Sequence, residues 1–593
     1  MSEPTRHQTG RSIGQIFFQR ADELGPRPFI KLQKGEHFQD VSWQEFAALV
    51  RKVLLGLVNL GFTPGDTVAI IGENSLPWLA ADLATLSAGF PNVVVAPVLS
   101  DLMVLKLLGH AECRAVFVQD GLAVGRMLNL KGQLPALRHI ITMQECDANL
   151  PSTLSFSELI ARGGGVEASR CRAIIEAVHP QDLATIMYTS GSTGEPKGVM
   201  RTQDNLLANI TNGGTVRVSA PEELTVNVLS LNHLFGRFGF LKSAVTGRTT
   251  ALVEAAETQV DLNVIRRLAP TGLVVVPRVM EKIWDSLLDQ RDNGALWAEL
   301  EMIDQRSSGA LLSDAENQRL EAIGNALKAN VRQALGGRIK YLTYGAAAMP
   351  PRIMRFFERV GIPLIGSYGS TECGGVTLCG VGENRPGNLG RPFANVRIRI
   401  AADGEILVHG PTVSPGYFKN PEATREAFDD AGWYHTGDLG ALDPDGSLRV
   451  TGRKKDVFNC ADGSNIYPGF IELQLENESF INQAVLVGDR RPFVAALIVP
   501  ARERIAEALK CDIGNLSDAA IESALWLQIA RVNGRLEVYE QVRKIVVLYD
   551  DFPPEVRSVN QFQKVKVDRN GVAVRYEQEI DALYKTAPAG NGH

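Results

Sequence analysis

The chain is 593 residues long, with 45% apolar and 22% charged residues, the balance of an ordinary soluble globular protein. Its 61 Lys+Arg against 67 Asp+Glu leave a net charge of −6, which excludes a protein whose main task is to grip nucleic acid through bulk positive charge. The length corresponds to roughly four domains at about 150 residues each and is ample for a core that needs neither disulfides nor metals. Along the chain, Phe46, Leu49, Val50, Val53, Leu57 and Leu60 recur at helical spacing. Residues 61–66 (G-F-T-P-G-D) read as a turn and residues 67–71 as a short apolar strand. Residues 78–87 read as helix again, and the β-branched residues 92–98 as a strand. This rhythm predicts an α/β fold with buried, largely parallel strands. Residues 184–188 are strand-like. Further on, Asp403-Gly404 and Asp445-Gly446 each sit beside short apolar runs, which predicts hairpins. A domain boundary is predicted near Gly452, where the basic patch Arg453-Lys454-Lys455-Asp456 opens a segment long enough for one small α+β domain.

Seven cysteines (Cys113, Cys146, Cys171, Cys373, Cys379, Cys460 and Cys511) are scattered, odd in number and free of any C-x-x-C pair. That pattern argues against a disulfide framework or a zinc cluster and suits a reducing compartment, so a cytoplasmic location is expected. Residues 1–12 are polar, with no apolar signal-like run. The most apolar stretch, residues 83–100, is broken by Gly89, Pro91 and Pro97, so no membrane span is predicted. Peripheral contact with a membrane and the oligomeric state are left open, and no nucleic acid is expected as a partner.

The strongest local signal is Y-T-S-G-S-T-G-E-P-K-G at residues 188–198. A strand runs into a loop of hydroxyls and glycines that ends in a lysine. Glycines let backbone N–H groups approach phosphate oxygens, hydroxyls add donors and the lysine adds charge. The spacing is not that of the G-x-x-x-x-G-K-[ST] loop. Three further motifs follow in order: Y-G-S-T-E at residues 368–372, Y-H-T-G-D at 434–438 and G-R-K-K-D at 452–456.

Together these four motifs resemble those of the adenylate-forming superfamily, which includes acyl-CoA synthetases, peptide-synthetase adenylation domains and luciferases. The resemblance runs from about residue 41 to residue 584. Three more segments, V-P-R-V-M-E-K at 276–282, P-G-N-L-G-R-P at 386–392 and G-Y-F-K-N-P-E at 416–422, are similar to the long-chain acyl-CoA synthetase (fatty acid–CoA ligase) branch. The resemblance implies an α/β fold, with a large N-terminal domain of α/β subdomains plus a β-barrel-like piece and a small mobile α+β C-terminal domain. In this chain it implies an adenylation domain over residues 1–452, a hinge at 453–455 and a mobile domain over 456–593. The implied reaction joins a carboxylic acid to ATP with Mg²⁺, then passes the acyl group to coenzyme A.

Residue roles follow from the same resemblance. Thr189, Ser190, Gly191, Ser192, Thr193, Gly194 and Lys197 would hold the β- and γ-phosphates. Thr371 would bond the α-phosphate, and Glu372 would hold Mg²⁺ through a hard oxygen ligand. Gly345, Ala346 and Ala347 would lie on one face of adenine, with Tyr368 on the other. Asp438 would accept both ribose hydroxyls, assisted by Arg453, while His233 would stand beside the substrate carboxylate. Lys455 marks the hinge, and Lys454 reads as part of a solvated basic patch.

Two departures from the family pattern stand out. The adenylation lysine lies in N-Q-F-Q-K-V-K-V-D-R at residues 560–569. Lys566 is the first choice for it, from the K-x-x-R spacing to Arg569, and Lys564, on the same side of an extended chain, is the second. In the segment after the hinge, Ser464 stands where long-chain synthetases commonly carry lysine, and Gly463 is the turn residue nearest the thiol. The acceptor is therefore less firmly set than the use of ATP. The expected substrate is a hydrophobic, long-chain or bulky acid in an apolar tunnel. The alternatives are an acyl-AMP ligase that delivers to the pantetheine of an acyl carrier protein, and an aryl or bulky-acid CoA ligase.

Overall fold

The computed structural model describes residues 10–145, 152–164, 168–190, 195–211, 222–253, 261–290, 293–307, 313–345, 349–380, 382–383, 387–550, 552, 557–559, 565–567 and 569–585. Local signals set most element ends. The helix Trp43–Asn59 starts at Ser42, whose hydroxyl accepts from the amide of Glu45 while the Glu45 carboxylate accepts from the amide of Ser42. It buries Phe46, Val50, Val53 and Leu57, the stripe read from the spacing. The strand Val68–Ile71 is buried at all four positions, because helices cover both faces of its sheet.

Among the described residues the large N-terminal part holds three sheets. The first runs, in spatial order, Thr153–Ser155, His139–Thr142, Ala115–Val118, Val68–Ile71, Asn92–Val95, Leu183–Ser190 and Pro196–Thr202. Its pairs are parallel up to the last two strands, which form an antiparallel hairpin. The second has Tyr341–Tyr344, Gly272–Val275, Leu224–Asn227 and Thr249–Leu252 as a parallel centre, extended by Leu364–Ser370 on one side and Pro28–Lys34 on the other. The third, Arg397–Ile400, Glu405–His409, Tyr434–Leu442 and Leu448–Arg453, is antiparallel throughout. It contains both hairpins predicted from the Asp-Gly turns and forms the piece expected to be barrel-like. In the smaller C-terminal part, Ile481–Val487, Val494–Pro500 and Val542–Val547 form a mixed sheet. Helices Pro468–Glu476 and Asp518–Asn533 contribute to its apolar core. Arg504 of this part and Arg352 of the larger one both lie against the Trp284 ring, at 5.8 and 5.2 Å. The described cysteines are all free thiols, and no described helix is long and apolar enough to cross a membrane.

The first two sheets are joined through a fully buried polar knot. Arg237, on the helix Leu234–Thr246, meets Asp82 of the helix Leu76–Ala88 with both side chains 0% exposed. Its remaining donors reach Thr185 Oγ1 at 2.9 Å and Asn92 Oδ1 at 3.0 Å, and Asn92 Nδ2 donates to Asp82 Oδ1 at 2.9 Å. Each charge removed from water is thus matched by an opposite charge or a dipole. Breaking one half strands the other. Asp82→Ala should cost about 3–5 kcal/mol in urea unfolding, whereas Asp82→Leu combined with Arg237→Met should recover much of that loss. An Asp82→Ala protein as stable as the parent would show that the knot carries no weight.

Candidate active site

The hydroxyl- and glycine-rich motif caps the hairpin Leu183–Ser190/Pro196–Thr202, so the two arms bring its ends together: Thr189 lies opposite Lys197 in register. Gly191, Ser192, Thr193 and Gly194 lie outside the described residues, as does the side chain of Ser190. Thr371 and Glu372 occupy the turn between Leu364–Ser370 and Gly374–Leu378. The amides of Glu372 and Cys373 donate to Ser370 Oγ at 3.2 and 3.3 Å, which tightens that turn. Thr189 Oγ1 then donates to Glu372 Oε1 at 3.5 Å and Tyr417 Oη donates to the same oxygen at 3.3 Å. The Lys197 ammonium stands 5.1 Å from the centre of the Tyr417 ring. Two sheets thereby bring a hydroxyl, a carboxylate and a cation to one place.

Asp438 and Arg453 face each other across the antiparallel strands Tyr434–Leu442 and Leu448–Arg453. Arg453 Nε sits 2.6 Å from Asp438 Oδ1, and Tyr368 Oη donates to Asp438 Oδ2 at 2.6 Å. Burial, with the Asp438 charge beside it, pushes the Tyr368 phenol well above its ordinary range, so it stays a donor. A carboxylate offers about four acceptor positions. Arg453 and Tyr368 hold that of Asp438 in place at the edge of the cavity.

Gly345 follows the strand Tyr341–Tyr344. A Cβ there would meet the Phe235 ring and the Ser367 carbonyl, each at 3.3 Å, so the lack of a side chain keeps a flat slot open. Ala346 and Ala347 lie outside the described residues. His233 is the N-cap of the helix Leu234–Thr246, with extended backbone and no side-chain cap on that helix. The cavity that links these groups has a volume of about 2360 Å³, and Thr189, His233, Gly345, Tyr368, Thr371, Glu372, Asp438, Arg453 and Lys455 all line it.

The remaining predicted residues stand elsewhere. Gly463 has the expected positive φ, +86°, in the turn between Phe458–Asn459 and Asn465–Ile466, but it does not line this cavity. Lys566 is in the short strand Val565–Val567, opposite Ser558. Its side chain lies outside the described residues, and so does the whole of Lys564. Lys454 is tied down rather than simply solvated: its ammonium pairs with Asp403 at 2.6 Å and Glu405 at 3.1 Å.

Sequence reasoning passed over Arg201. Its guanidinium is 0% exposed and donates to the carbonyls of Thr412 at 2.7 Å, Glu372 at 3.3 Å, Thr371 at 3.4 Å and Asn205 at 3.4 Å. Burial brings it down to about 10, still charged at neutral pH. The signal was present, since Arg201 comes two residues after the buried Val199, on the same face of the strand that follows the hydroxyl- and glycine-rich loop. Tyr417 was inside a quoted motif but had been given no role.

Comparison with known proteins places these features. Residues 17–418 match the model of the AMP-binding enzyme family, and residues 455–588 match that of the AMP-binding enzyme C-terminal domain. The chain is similar to the long-chain-fatty-acid–CoA ligase FadD15 of Mycobacterium bovis, with 31% identity over 570 residues that cover 92% of each chain. It is also similar to the long-chain-fatty-acid–CoA ligase ACSBG1 of Rattus norvegicus, with 28% identity over 98% of this chain and 87% of that protein. Two solved structures share the fold. The A domain of the carboxylic acid reductase from Segniliparus rugosus, in complex with AMP and a co-purified carboxylic acid, has a TM-score of 0.71 and 22% identity over 98% of this chain and 95% of that one. The anthranilate CoA ligase AuaEII, in complex with anthranoyl-AMP, has a TM-score of 0.73 and 18% identity over 96% and 98%.

Removing the Arg201 guanidinium takes the donor from the carbonyls of Thr371 and Thr412. Arg201→Met should lower stability by at least about 2 kcal/mol, read as a fall in the urea midpoint at unchanged slope. A midpoint equal to that of the parent would deny Arg201 this role.

Proposed function

Because the chain belongs to the AMP-binding enzyme family, we propose that it activates a hydrophobic, long-chain carboxylic acid with ATP and transfers the acyl group to coenzyme A, releasing AMP and pyrophosphate. One observation carries the residue assignments: the Thr189–Glu372 pair, with Lys197 opposite Thr189 in the hairpin, and the Tyr368–Asp438–Arg453 group meet at one cavity that Thr189, Glu372, Tyr368, Asp438 and Arg453 line, as a nucleotide held at its phosphates and at its ribose requires. In the first step a substrate carboxylate oxygen attacks the α-phosphorus and pyrophosphate leaves. Two anions must approach, so the work is positioning and charge neutralisation rather than covalent catalysis by the protein. Lys197 and the loop ahead of it hold the β- and γ-phosphates. Thr371 donates to the α-phosphate, and Asp438 accepts the ribose hydroxyls while Arg453 keeps it oriented. His233, at the uncapped start of its helix, receives the carboxylate where the helix dipole favours negative charge.

The residues present suit Mg²⁺. Glu372 offers one hard carboxylate beside the phosphate hairpin, and a single carboxylate completed by water and phosphate oxygens is the usual setting for this ion. When bound, Mg²⁺ offsets phosphate charge. The N-terminal domain, residues 1–452, turns against residues 456–593 about a hinge at 453–455. One orientation brings Lys566 to the carboxylate and the other brings the Gly463 turn to the thiol. In the second step the thiolate attacks the acyl carbon and AMP departs. Ser464, whose amide donates to Asp462 at 2.9 Å, replaces a common lysine on the face used in this step. That substitution supports a second reading of the acceptor, a carrier-protein pantetheine.

The decisive experiment is ATP–pyrophosphate exchange across a panel of carboxylic acids, followed by thioester formation with CoA and, separately, with a holo carrier protein. Hydrophobic acids should support exchange, and CoA should be acylated faster than the carrier. Lys566→Ala should abolish exchange while Lys564→Ala retains it; loss in both variants or in neither removes the lysine assignment. Asp438→Ala should raise the KM for ATP by roughly tenfold or more, the size of a lost pair of charge-assisted hydrogen bonds. An unchanged KM would exclude Asp438 from the ribose site.

A further inference from the structure

The cavity has a second end that adenylation chemistry does not use. The activating groups sit at the C-terminal ends of the parallel strands, where ligands bind in open α/β sheets. At the N-terminal ends, Thr225, Gly272 and Tyr341 form one row across three neighbouring strands. A Cβ on Gly272 would come within 2.8 Å of the Tyr341 ring, so the glycine makes room for a phenol laid across the sheet. Tyr341 to Gly345 spans four residues, about 13 Å at ~3.3 Å per strand residue. On the facing helix Leu234–Thr246, Phe235, Gly239 and Lys242 share one side, and Phe235 to Lys242 spans about 10 Å at ~1.5 Å per residue. Both measures place the floor roughly a medium acyl chain below the carboxylate position. The walls between are mostly apolar, with Phe235, Phe238, Val274, Val276 and Ile365 beside Thr343.

The floor is not apolar. Thr225, Lys242, Arg248 and Tyr341 all line the cavity there. Arg248 is already committed: it pairs with Glu223 at 2.8 Å and donates to Tyr341 Oη at 3.1 Å and Thr225 Oγ1 at 3.4 Å. Glu223 thus balances Arg248. The Lys242 ammonium has no hydrogen bond or ion pair among the described residues. Burial, with Arg248 adding to it, holds that ammonium below the usual lysine range. A plain alkyl chain reaching this floor would leave the charge desolvated against a methyl end, which is costly. An anion there would receive a charge-assisted hydrogen bond instead.

We propose that the tunnel takes an α,ω-dicarboxylic acid: one carboxylate is activated beside His233, the apolar chain fills the tunnel, and Lys242, with Tyr341 and Thr225, receives the distal carboxylate. The proposal rests on the adenylation reading and specifies the substrate class of the same site.

The test is ATP–pyrophosphate exchange by the full chain with α,ω-diacids and the monoacids of equal carbon number, across a series of lengths. At the optimal length the diacid should exceed its monoacid in kcat/KM by at least about tenfold, the size of one charge-assisted hydrogen bond. Lys242→Met should erase or invert that preference while keeping exchange with the monoacid, which also shows that the variant folds. Lys242→Arg should keep the preference. Monoacids preferred at every length, or Lys242→Met lowering both acids by the same factor, would overturn the proposal and leave the adenylation reading standing. Absence of exchange with every acid of either class would refute the adenylation reading itself, and this proposal with it. Should Lys242→Met fail to fold, the diacid-to-monoacid ratio of the parent decides alone.

Discussion

The site is organised around one buried guanidinium. Arg201 leaves the phosphate hairpin, enters a dry interior and spends its donors on backbone carbonyls of three other segments: the Thr371–Glu372 turn, the loop at Thr412 and the start of the following helix at Asn205. For the carbonyls of Thr371 and Thr412 the guanidinium replaces bonds that water would otherwise supply, while those of Glu372 and Asn205 also accept from the Ser414 amide and Asn209 Nδ2. The planar, multi-donor head suits this task and an ammonium would not. Thr189 and Lys197 come from one sheet and Glu372 from another. Their approach depends on the hairpin and the turn being fixed to each other, and Arg201 touches both.

A second buried polar centre works at the level of whole layers. The Asp82–Arg237 knot joins the helix that carries His233 to the helix and strands of the first sheet. That helix is also one wall of the tunnel, with Phe235 near the mouth and Lys242 at the floor. The same tie that fixes the two sheets therefore bears on the width of the proposed acyl tunnel. The electrostatics run along this axis. Cations and donors gather at the proposed mouth, apolar side chains line much of the middle, and the Lys242 ammonium, with no ion pair among the described residues, stands at the far end.

Local chemistry was legible in the sequence to a useful degree. The helix over residues 46–60 was predicted from its apolar stripe and forms as Trp43–Asn59, because a capping box at Ser42 and Glu45 reinforces the same start. The strand at 92–98 was read too long and stops at Val95, since Ala96 and Pro97 turn the chain toward the next helix. Asp-Gly pairs marked both hairpins of the third sheet, since that dipeptide favours the backbone geometry of a tight turn. Among site residues, Thr189, Gly345, Tyr368, Thr371, Glu372, Asp438, Arg453, His233 and Lys455 line one cavity, and Lys197 stands opposite Thr189 in the hairpin beside it. Gly463 does not: it sits in the turn between Phe458–Asn459 and Asn465–Ile466, whereas the following helix Pro468–Glu476 supplies the cavity-lining residues Gly469, Phe470 and Leu473.

The sequence by itself determined which short segments are the candidates for phosphate, ribose and metal chemistry, because each is a local pattern of glycine, hydroxyl and charge whose conformational needs lie within a few neighbouring residues. Only the tertiary structure decided what those segments do to one another. Arg201 and Tyr417 gain their importance from partners far along the chain, and Lys242 from having no ion pair among the described residues. An isolated lysine on a helix reads as a solvated charge; whether it faces bulk water or the floor of a substrate tunnel depends on the sheet packed opposite, and no local pattern records that.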